Sequence, residues 1–369
     1  MLKSTITLTP AQLDPKFLAG VQEFQDAFMA LEREIPDDLV PVKGDDFHLR
    51  TLKAFNESFS ICSAYEVKLE NDVPFLRQVQ EYFRRETDPW MRQSWIGDRA
   101  RSKPSGFAGD YEMLIKLYDE KTPALGLGGY IDLCILDLPL ARAVRSRLAA
   151  VKSYLLDEIK NRDSGVRILD IASGPCREYS TWPELPADKP VEVVALDNDP
   201  TAIAYVEQQV AAKLTGSTRL SVARYNALRT RNAKATVEKF GRFDIIYSVG
   251  LFDYLTDDHL VDLFVGLRDS LNDNGSLYIA FKDREQYAKT PYQWHLDWFF
   301  YQRTEEDVLS LYRQAGFDVD AIRTTRDATG IIINFISQHR SSNIQRLDSA
   351  ELFKAKTSIP APANSRQSI

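Results

Sequence analysis

The first residues in this 369-residue chain whose types and spacing could do chemistry are Asp170-Ile171-Ala172-Ser173-Gly174-Pro175-Cys176. The apolar run Val166 to Ile171 predicts a short buried strand, and Ala172 to Pro175 a turn of small residues. About twenty residues on, a second apolar run, Val191 to Leu196, is closed by Asp197. A strand, a glycine turn and then an acid ending the next strand make a nucleotide site in a parallel sheet. The turn lets the backbone approach the ligand, and the acid accepts hydrogen bonds from ribose hydroxyls. The dinucleotide pattern G-x-G-x-x-G is missing, and Pro175 removes an amide that a pyrophosphate would use. A nicotinamide-dependent oxidoreductase is therefore disfavoured.

A second candidate stretch is Pro291 to Arg303, whose aromatic density is high for a loop. Trp294, Trp298 and Tyr301 suit an apolar pocket for a small or lipid-like substrate. His295 is the best-placed general base by type, with an ordinary pKa of about 6.5, although a structural histidine fits the same position. His48, His259 and His339 lack comparable context. Arg142 and Arg145 are three apart and share a helix face; solvated, they do nothing, and in a site they would hold a carboxylate or phosphate.

These residues need elements to position them. Apolar spacing predicts helices over Pro15–Glu34, Phe47–Lys68 and Asp72–Arg85, so the first hundred residues are mostly helical. Asp88-Pro89 is expected to break the chain and start the next helix, with Met91 and Trp95 on one face. In Gly106-Phe107-Ala108-Gly109-Asp110-Tyr111, Asp110 is expected to cap a following helix. Gly126–Tyr130 reads as a glycine-rich break, and Ile131–Lys160 as a long helix interrupted at Leu138-Pro139.

From there strands and helices alternate. Strands are expected at Val166–Ile171, Val191–Leu196, Leu220–Arg224, Phe243–Ser248 and Ser276–Phe281. Helices are expected at Pro200–Lys213, near Asn232–Phe240, at Asp257–Leu271 stopped by Asp273-Asn274-Gly275, and at Thr304–Ala315. Phe317–Ile322 and Ile331–Ile336 read as a closing pair of strands, close enough for a hairpin. Alternation means an α/β fold around a doubly wound, mostly parallel sheet. The division expected is a helical cap or substrate region over 1–130, a core over 131–340, and a disordered tail over 341–369.

Composition sets the outer bounds. Hydrophobic residues are 44% and charged residues 27%, ordinary for a globular protein. The net charge of −7 argues against binding nucleic acid through phosphates. The three cysteines, Cys62, Cys134 and Cys176, form no C-x-x-C pair, so neither a zinc site nor a disulfide framework is expected, and no metal. A reducing cytoplasm fits, with no signal peptide and no apolar run long enough to span a membrane. A homodimer is left open.

Asp170-Ile171-Ala172-Ser173-Gly174-Pro175 resembles motif I of the class I S-adenosylmethionine-dependent methyltransferases, with Cys176 where the last glycine of D-x-x-x-G-x-G stands. Asp197 resembles the acid ending their second strand. The resemblance covers about Val166 to Gln338 and implies their seven-stranded doubly wound sheet, with S-adenosylmethionine as cofactor. It puts Asp170, Ala172, Ser173 and Gly174 beside the methionine and ribose, and Asp197 and Asn198 on the ribose hydroxyls. Asn226 and Ala227 would lie at the adenine. Ser248-Val249-Gly250-Leu251-Phe252-Asp253-Tyr254 matches the segment that packs on the methionine and faces the substrate, with Ser248 and Gly250 toward the cofactor. Phe252 and Tyr254 serve equally well as core residues. Asp253 stands where many relatives carry a polar group and joins His295 as a catalytic candidate.

Gly106 to Met113 also resembles the G-[YF]-A-G-D-Y segment of bacterial 3-hydroxypalmitic acid methyl ester biosynthesis-type proteins, as does the Arg142–Arg147 pattern. That resemblance implies Tyr111 at the methionine end of the cofactor, Arg142 at the substrate, and methylation of a hydroxy fatty acid carboxylate. Two alternatives stand beside it: methylation of an oxygen or nitrogen on another metabolite, and a regulatory protein that binds the cofactor without chemistry.

Overall fold

In the computed structural model the described residues are Leu8–His339, so the tail expected over 341–369 lies outside them. Seven helices come first: α1 (Pro15–Glu34), α2 (Asp46–Lys68), α3 (Val73–Met91), α4 (Trp95–Ser102), α5 (Tyr111–Asp119), α6 (Gly126–Leu136) and α7 (Pro139–Lys160). The alternating half follows as β1 (Val166–Ile171), β2 (Val191–Asp197), α8 (Pro200–Gln209), β3 (Thr218–Arg224), α9 (Ala233–Phe240) and β4 (Phe243–Val249). It closes with α10 (Asp257–Arg268), β5 (Leu271–Lys282), α11 (Glu305–Gln314), β6 (Arg323–Arg326) and β7 (Ile332–Gln338).

The strands form one seven-stranded sheet in the order β3-β2-β1-β4-β5-β7-β6. β1 to β5 pair in parallel, and β7 runs antiparallel to both β5 and β6. This is the seven-stranded, mostly parallel arrangement that the resemblance to class I methyltransferases implies. The central strands are buried on both faces, which explains their unbroken apolar runs. In β1, Ile168 faces the core shared with α6 and α7, while Leu169 and Ile171 face the core shared with α10 and α11. A third cluster joins α1, α2 and α3 around Phe17, Phe83 and Trp294.

Four expectations are corrected. Pro89 lies inside the last turn of α3, and α4 starts later, where the Ser94 hydroxyl accepts from Gly97 N–H. Met91 and Trp95 therefore sit on different helices. Gly126–Tyr130 is the start of α6 rather than a break. A Cβ at Gly128 would stand 2.1 Å from the Gln93 carbonyl oxygen, so glycine there permits a close helix crossing. α6 itself runs on across residue 130 to Leu136. Asp273-Asn274-Gly275 does not stop a helix; it forms an irregularity within β5, where the pairing with β4 jumps from Phe243↔Leu271 to Ile245↔Ser276. The run Phe317–Ile322 is not a strand. Phe317, Val319 and Ile322 pack against the α10–α11 core from a loop and turn, and the edge strand is the polar Arg323–Arg326.

Candidate functional site

The sheet order reverses between β1 and β4, and in such sheets ligands sit beyond the carboxyl ends of the strands at that reversal. A cavity of about 320 Å³ lies there. Its polar half is built from Ala172, Gly174, Asp197, Asn198, Asn226 and Gly250. Its apolar half lies under α5, α6 and α7, with Leu114, Ile135, Leu140 and Val144 facing Tyr292, Leu296, Trp298 and Phe300.

The turn after β1 is tightly wound: Ala172, Gly174 and Cys176 all have positive φ, at 56°, 54° and 46°. Left-handed backbone costs a non-glycine residue roughly 1–2 kcal/mol. It persists because the turn's amides are engaged: Ser173 N–H donates to Leu196 O at 3.1 Å, and Gly174 N–H to Asp197 Oδ2 at 2.8 Å. Asp199 N–H donates to Asp197 Oδ1 at 2.9 Å. Asp197 thus ties the ends of β1 and β2 together while lining the cavity with lone pairs to spare. Burial raises its carboxyl pKa, against the pull of those backbone amides.

Beneath the turn lies a fully buried polar cluster. Tyr247 donates to Glu178, its hydroxyl is 3.1 Å from that of Tyr179, and Cys176 Sγ is 3.8 Å from Asp170 Oδ2. Burial, and then Glu178, push the Asp170 carboxyl well up; burial also raises Glu178. Asp170 therefore supports the turn from below and does not line the cavity.

The segment Gly106–Tyr111 forms one wall. Phe107, Gly109 and Tyr111 line the cavity, and a Cβ on Gly109 would sit 2.7 Å from the Trp298 ring and 3.1 Å from the Tyr254 hydroxyl. Trp298 Nε1 donates to that hydroxyl at 2.6 Å. Asp110 is turned away: it accepts from Met113 N–H as the α5 cap and from Arg99.

Two cations enter the cavity wall. Arg147 on α7 is 4% exposed, its Nε has no hydrogen-bond partner among the described residues, a Cβ on Gly250 would stand 2.8 Å from its guanidinium, and Tyr118 and the Glu178 carboxylate interact with its charge. Lys282, at the carboxyl end of β5, pairs with Asp253, which also accepts from the Lys282 backbone N–H at 3.0 Å. Its Nζ lies 4.0 Å from the Phe300 ring centroid. Burial lowers the lysine pKa and Arg147 adds to that, while Asp253 opposes it. In the sequence Arg147 stood only as the end of the Arg142–Arg147 pattern, with the substrate role given to Arg142, and Lys282 was not singled out. The available signals were a charge on the apolar face of α7, three residues past Val144, and a lysine ending an apolar strand.

Of the candidates named from sequence, Tyr111, Ala172, Gly174, Asp197, Asn198, Asn226, Ala227, Gly250, Tyr254 and Trp298 meet at this cavity. Asn226 also accepts from Leu228 N–H, capping the turn after β3. The others sit elsewhere. Ser173 and Ser248 point into the structure, Ser248 donating to Ile171 O at 2.8 Å, and Phe252 is core. Arg142 is exposed on α7, one helix face away from Arg147. Trp294 is buried against Glu66, with Nε1–Oε2 at 2.9 Å, and Tyr301 is 49% exposed. Asp253 reaches the cavity only through Lys282.

His295 does not line this cavity. It occupies a box of Phe24, Phe55, Phe59 and Phe83 rings, with Nε2 3.1 Å from Ser58 Oγ. Burial, then the Arg101 charge, hold its imidazole pKa well below the ordinary value. The short π-helical turn Pro291–His295 directs Trp294 and His295 toward α2 and α3, while Tyr292 and Leu296 face the cleft.

No family model matches the chain, and no curated protein matches it. Among solved structures, a possible exported protein from Bordetella parapertussis is similar over 90% of this chain and 100% of its own, at 14% identity and a TM-score of 0.51. The CurJ carbon methyltransferase aligns over 88% of this chain and 91% of its own, at 11% identity and a TM-score of 0.46. Magnesium protoporphyrin IX methyltransferase from Synechocystis PCC 6803, with bound S-adenosylhomocysteine, covers 55% of this chain and 87% of its own, at 13% identity and a TM-score of 0.41. At these identities the likeness is one of fold.

Proposed function

We propose that the chain is an S-adenosylmethionine-dependent methyltransferase acting on the carboxylate of a small amphiphilic molecule, such as a hydroxy fatty acid. The observation that carries this reading is Asp197. It is a half-buried carboxylate at the mouth of the switch-point cleft, anchored by two backbone amides and still able to accept from a ribose. The residues present fit the nucleoside: Asn198, Asn226 and Ala227 continue from Asp197 along the cleft, and Ala172 and Gly174 bring bare backbone to its floor. When bound, the cofactor would supply an electrophilic methyl on a sulfonium. Tyr111 and Gly250 flank that end of the cleft.

The protein's own work is alignment and water exclusion. Arg147 and Lys282 would hold an anionic acceptor at the junction of the two halves, and the apolar half would take the rest of it. A carboxylate is already ionised and needs no base, which agrees with the position of His295 outside the cleft. A hydroxyl or amine acceptor is the second reading; the lowered pKa of Lys282 favours it, since that amine, once its own proton has passed to solvent, could take the acceptor's proton. The helices α5, α6 and α7 roof the cleft, so we assign the region ahead of β1 to substrate enclosure.

The test is calorimetric titration with S-adenosylhomocysteine, beside Asp197→Ala. Micromolar binding that falls by at least about 10-fold in the variant, roughly one lost charge-assisted hydrogen bond, is expected. Absence of binding by the folded wild type, with and without a long-chain acid present, would sink the reading.

A further inference from the structure

A second cavity of about 440 Å³ backs onto the cleft. It lies between α2, α6 and the turn at Pro291–His295, with Phe55, Phe59 and Cys134 in its walls. Ile135 and Leu296 line both cavities, so two aliphatic side chains form a common wall. The cleft itself, at about 320 Å³, is at the small end for a ligand site of about 300–1,000 Å³, and by the preceding proposal a nucleoside takes its polar half. An acceptor longer than the apolar half has this adjoining space to enter.

The chemistry of that space is apolar and neutral. Its buried polar side chains are Thr290, which donates to Glu66 Oε2 at 3.2 Å, and His295, whose Nδ1 has no partner among the described residues and whose burial keeps it uncharged. Asp137 lies at the edge, already paired with Lys43 at 2.7 Å, and would repel an anion. The cations are at the other end, on Arg147 and Lys282.

We infer that the second cavity seats the uncharged distal end of an elongate acceptor, which passes between Ile135 and Leu296 while its anionic head lies at Arg147 and Lys282. The inference rests on the methyltransferase reading only for what happens at the head; the seating of the tail is a binding property. Ile135 and Leu296 are then the residues that set how long an acceptor is accommodated.

The experiment is calorimetric binding of straight-chain carboxylates from hexanoate to hexadecanoate, with S-adenosylhomocysteine binding measured in parallel. Wild type is expected to gain up to about four-fold in affinity per methylene across the longer members, as a buried CH₂ group predicts. Ser60→Trp places bulk into the second cavity from an exposed site on α2. It is expected to weaken hexadecanoate by at least about 10-fold, leaving hexanoate and S-adenosylhomocysteine within about two-fold of wild type. Ala288→Trp, on the opposite rim, should do the same. Affinity that stops rising at octanoate, or variants that weaken hexanoate and hexadecanoate equally, would overturn the inference. Failure of S-adenosylhomocysteine to bind while chain length still governs acid affinity would instead count against the methyl-transfer reading alone.

Discussion

Arg147 is the charged side chain that ordinary rules place least comfortably. It is nearly buried, it lines the cavity with Leu117, Leu140 and Val144, and its Nε has no partner among the described residues. Glu178 and Tyr118 offset part of its charge, and a buried charge that is only partly offset is a place for a ligand to complete. In Arg147→Gln the acceptor KM is expected to rise by about 10- to 100-fold, the scale of a charged hydrogen bond of roughly 1.5–3 kcal/mol. S-adenosylhomocysteine affinity should stay within about two-fold. Steady-state kinetics on the carboxylate that binds best, beside calorimetry, separates the two. If cofactor affinity falls in step with acceptor affinity, Arg147 props the β4 end rather than meeting substrate. The sequence exposed the turn residues because their pattern is local: Ala172, Gly174 and Asp197 are set by backbone geometry written within thirty-odd residues. Arg147 and Lys282 were hidden because nothing local says which helix face meets which strand end.

At the scale of elements, the turn Pro291–His295 joins the N-terminal helices to the sheet. Arg84 donates to Gln293 O at 2.8 Å, Arg101 to His295 O at 2.8 Å, and Trp294 to Glu66. His295 is therefore a structural histidine. Its folded pKa is depressed while an unfolded histidine titrates near about 6.5. The stability from keeping it neutral is present above about pH 6.5 and is lost as pH falls toward the folded value. His295→Leu should lose less thermal stability than wild type between about pH 7.5 and pH 5. Asp132 works with the opposite sign: burial raises it to about 6, so its contribution is lost as pH rises through that value. For that reason the difference between the two proteins, read by thermal melts in one buffer series, is the decisive quantity. Equal slopes would mean that His295 does not carry the acid sensitivity. The aromatic density of Pro291–Arg303 was legible in sequence, but density does not say which rings face which side, and a π-helical turn divides them. The strands β1, β2, β4 and β5 were legible because both faces are largely buried. The edge strand β6 was not, because a polar strand paired on one side carries no apolar signal, whereas the apolar run before it packs without pairing.

At the scale of the whole molecule, the helical half and the sheet share their largest apolar core, which runs from Phe24 and Phe55 through Tyr130 and Ile135 to Ile168 and Tyr247. A boundary near residue 130 cuts α6 and leaves Tyr292, Trp294 and Leu296 without their cover. A fragment over 131–339 is expected to show no cooperative thermal transition, while the full chain melts in one, by circular dichroism. A fragment that melts cooperatively would establish the core as an independent domain.

One feature of that shared interior bears on chemical durability. Cys62, Cys134 and Cys176 are all buried, and burial pushes each thiol up, so thiolate is scarce at neutral pH. Oxidation proceeds through exposed thiolate. The native protein thus offers a disulfide reagent no ready thiol among its described residues, and its cysteine count carries little weight in deciding between a reducing and an oxidising home.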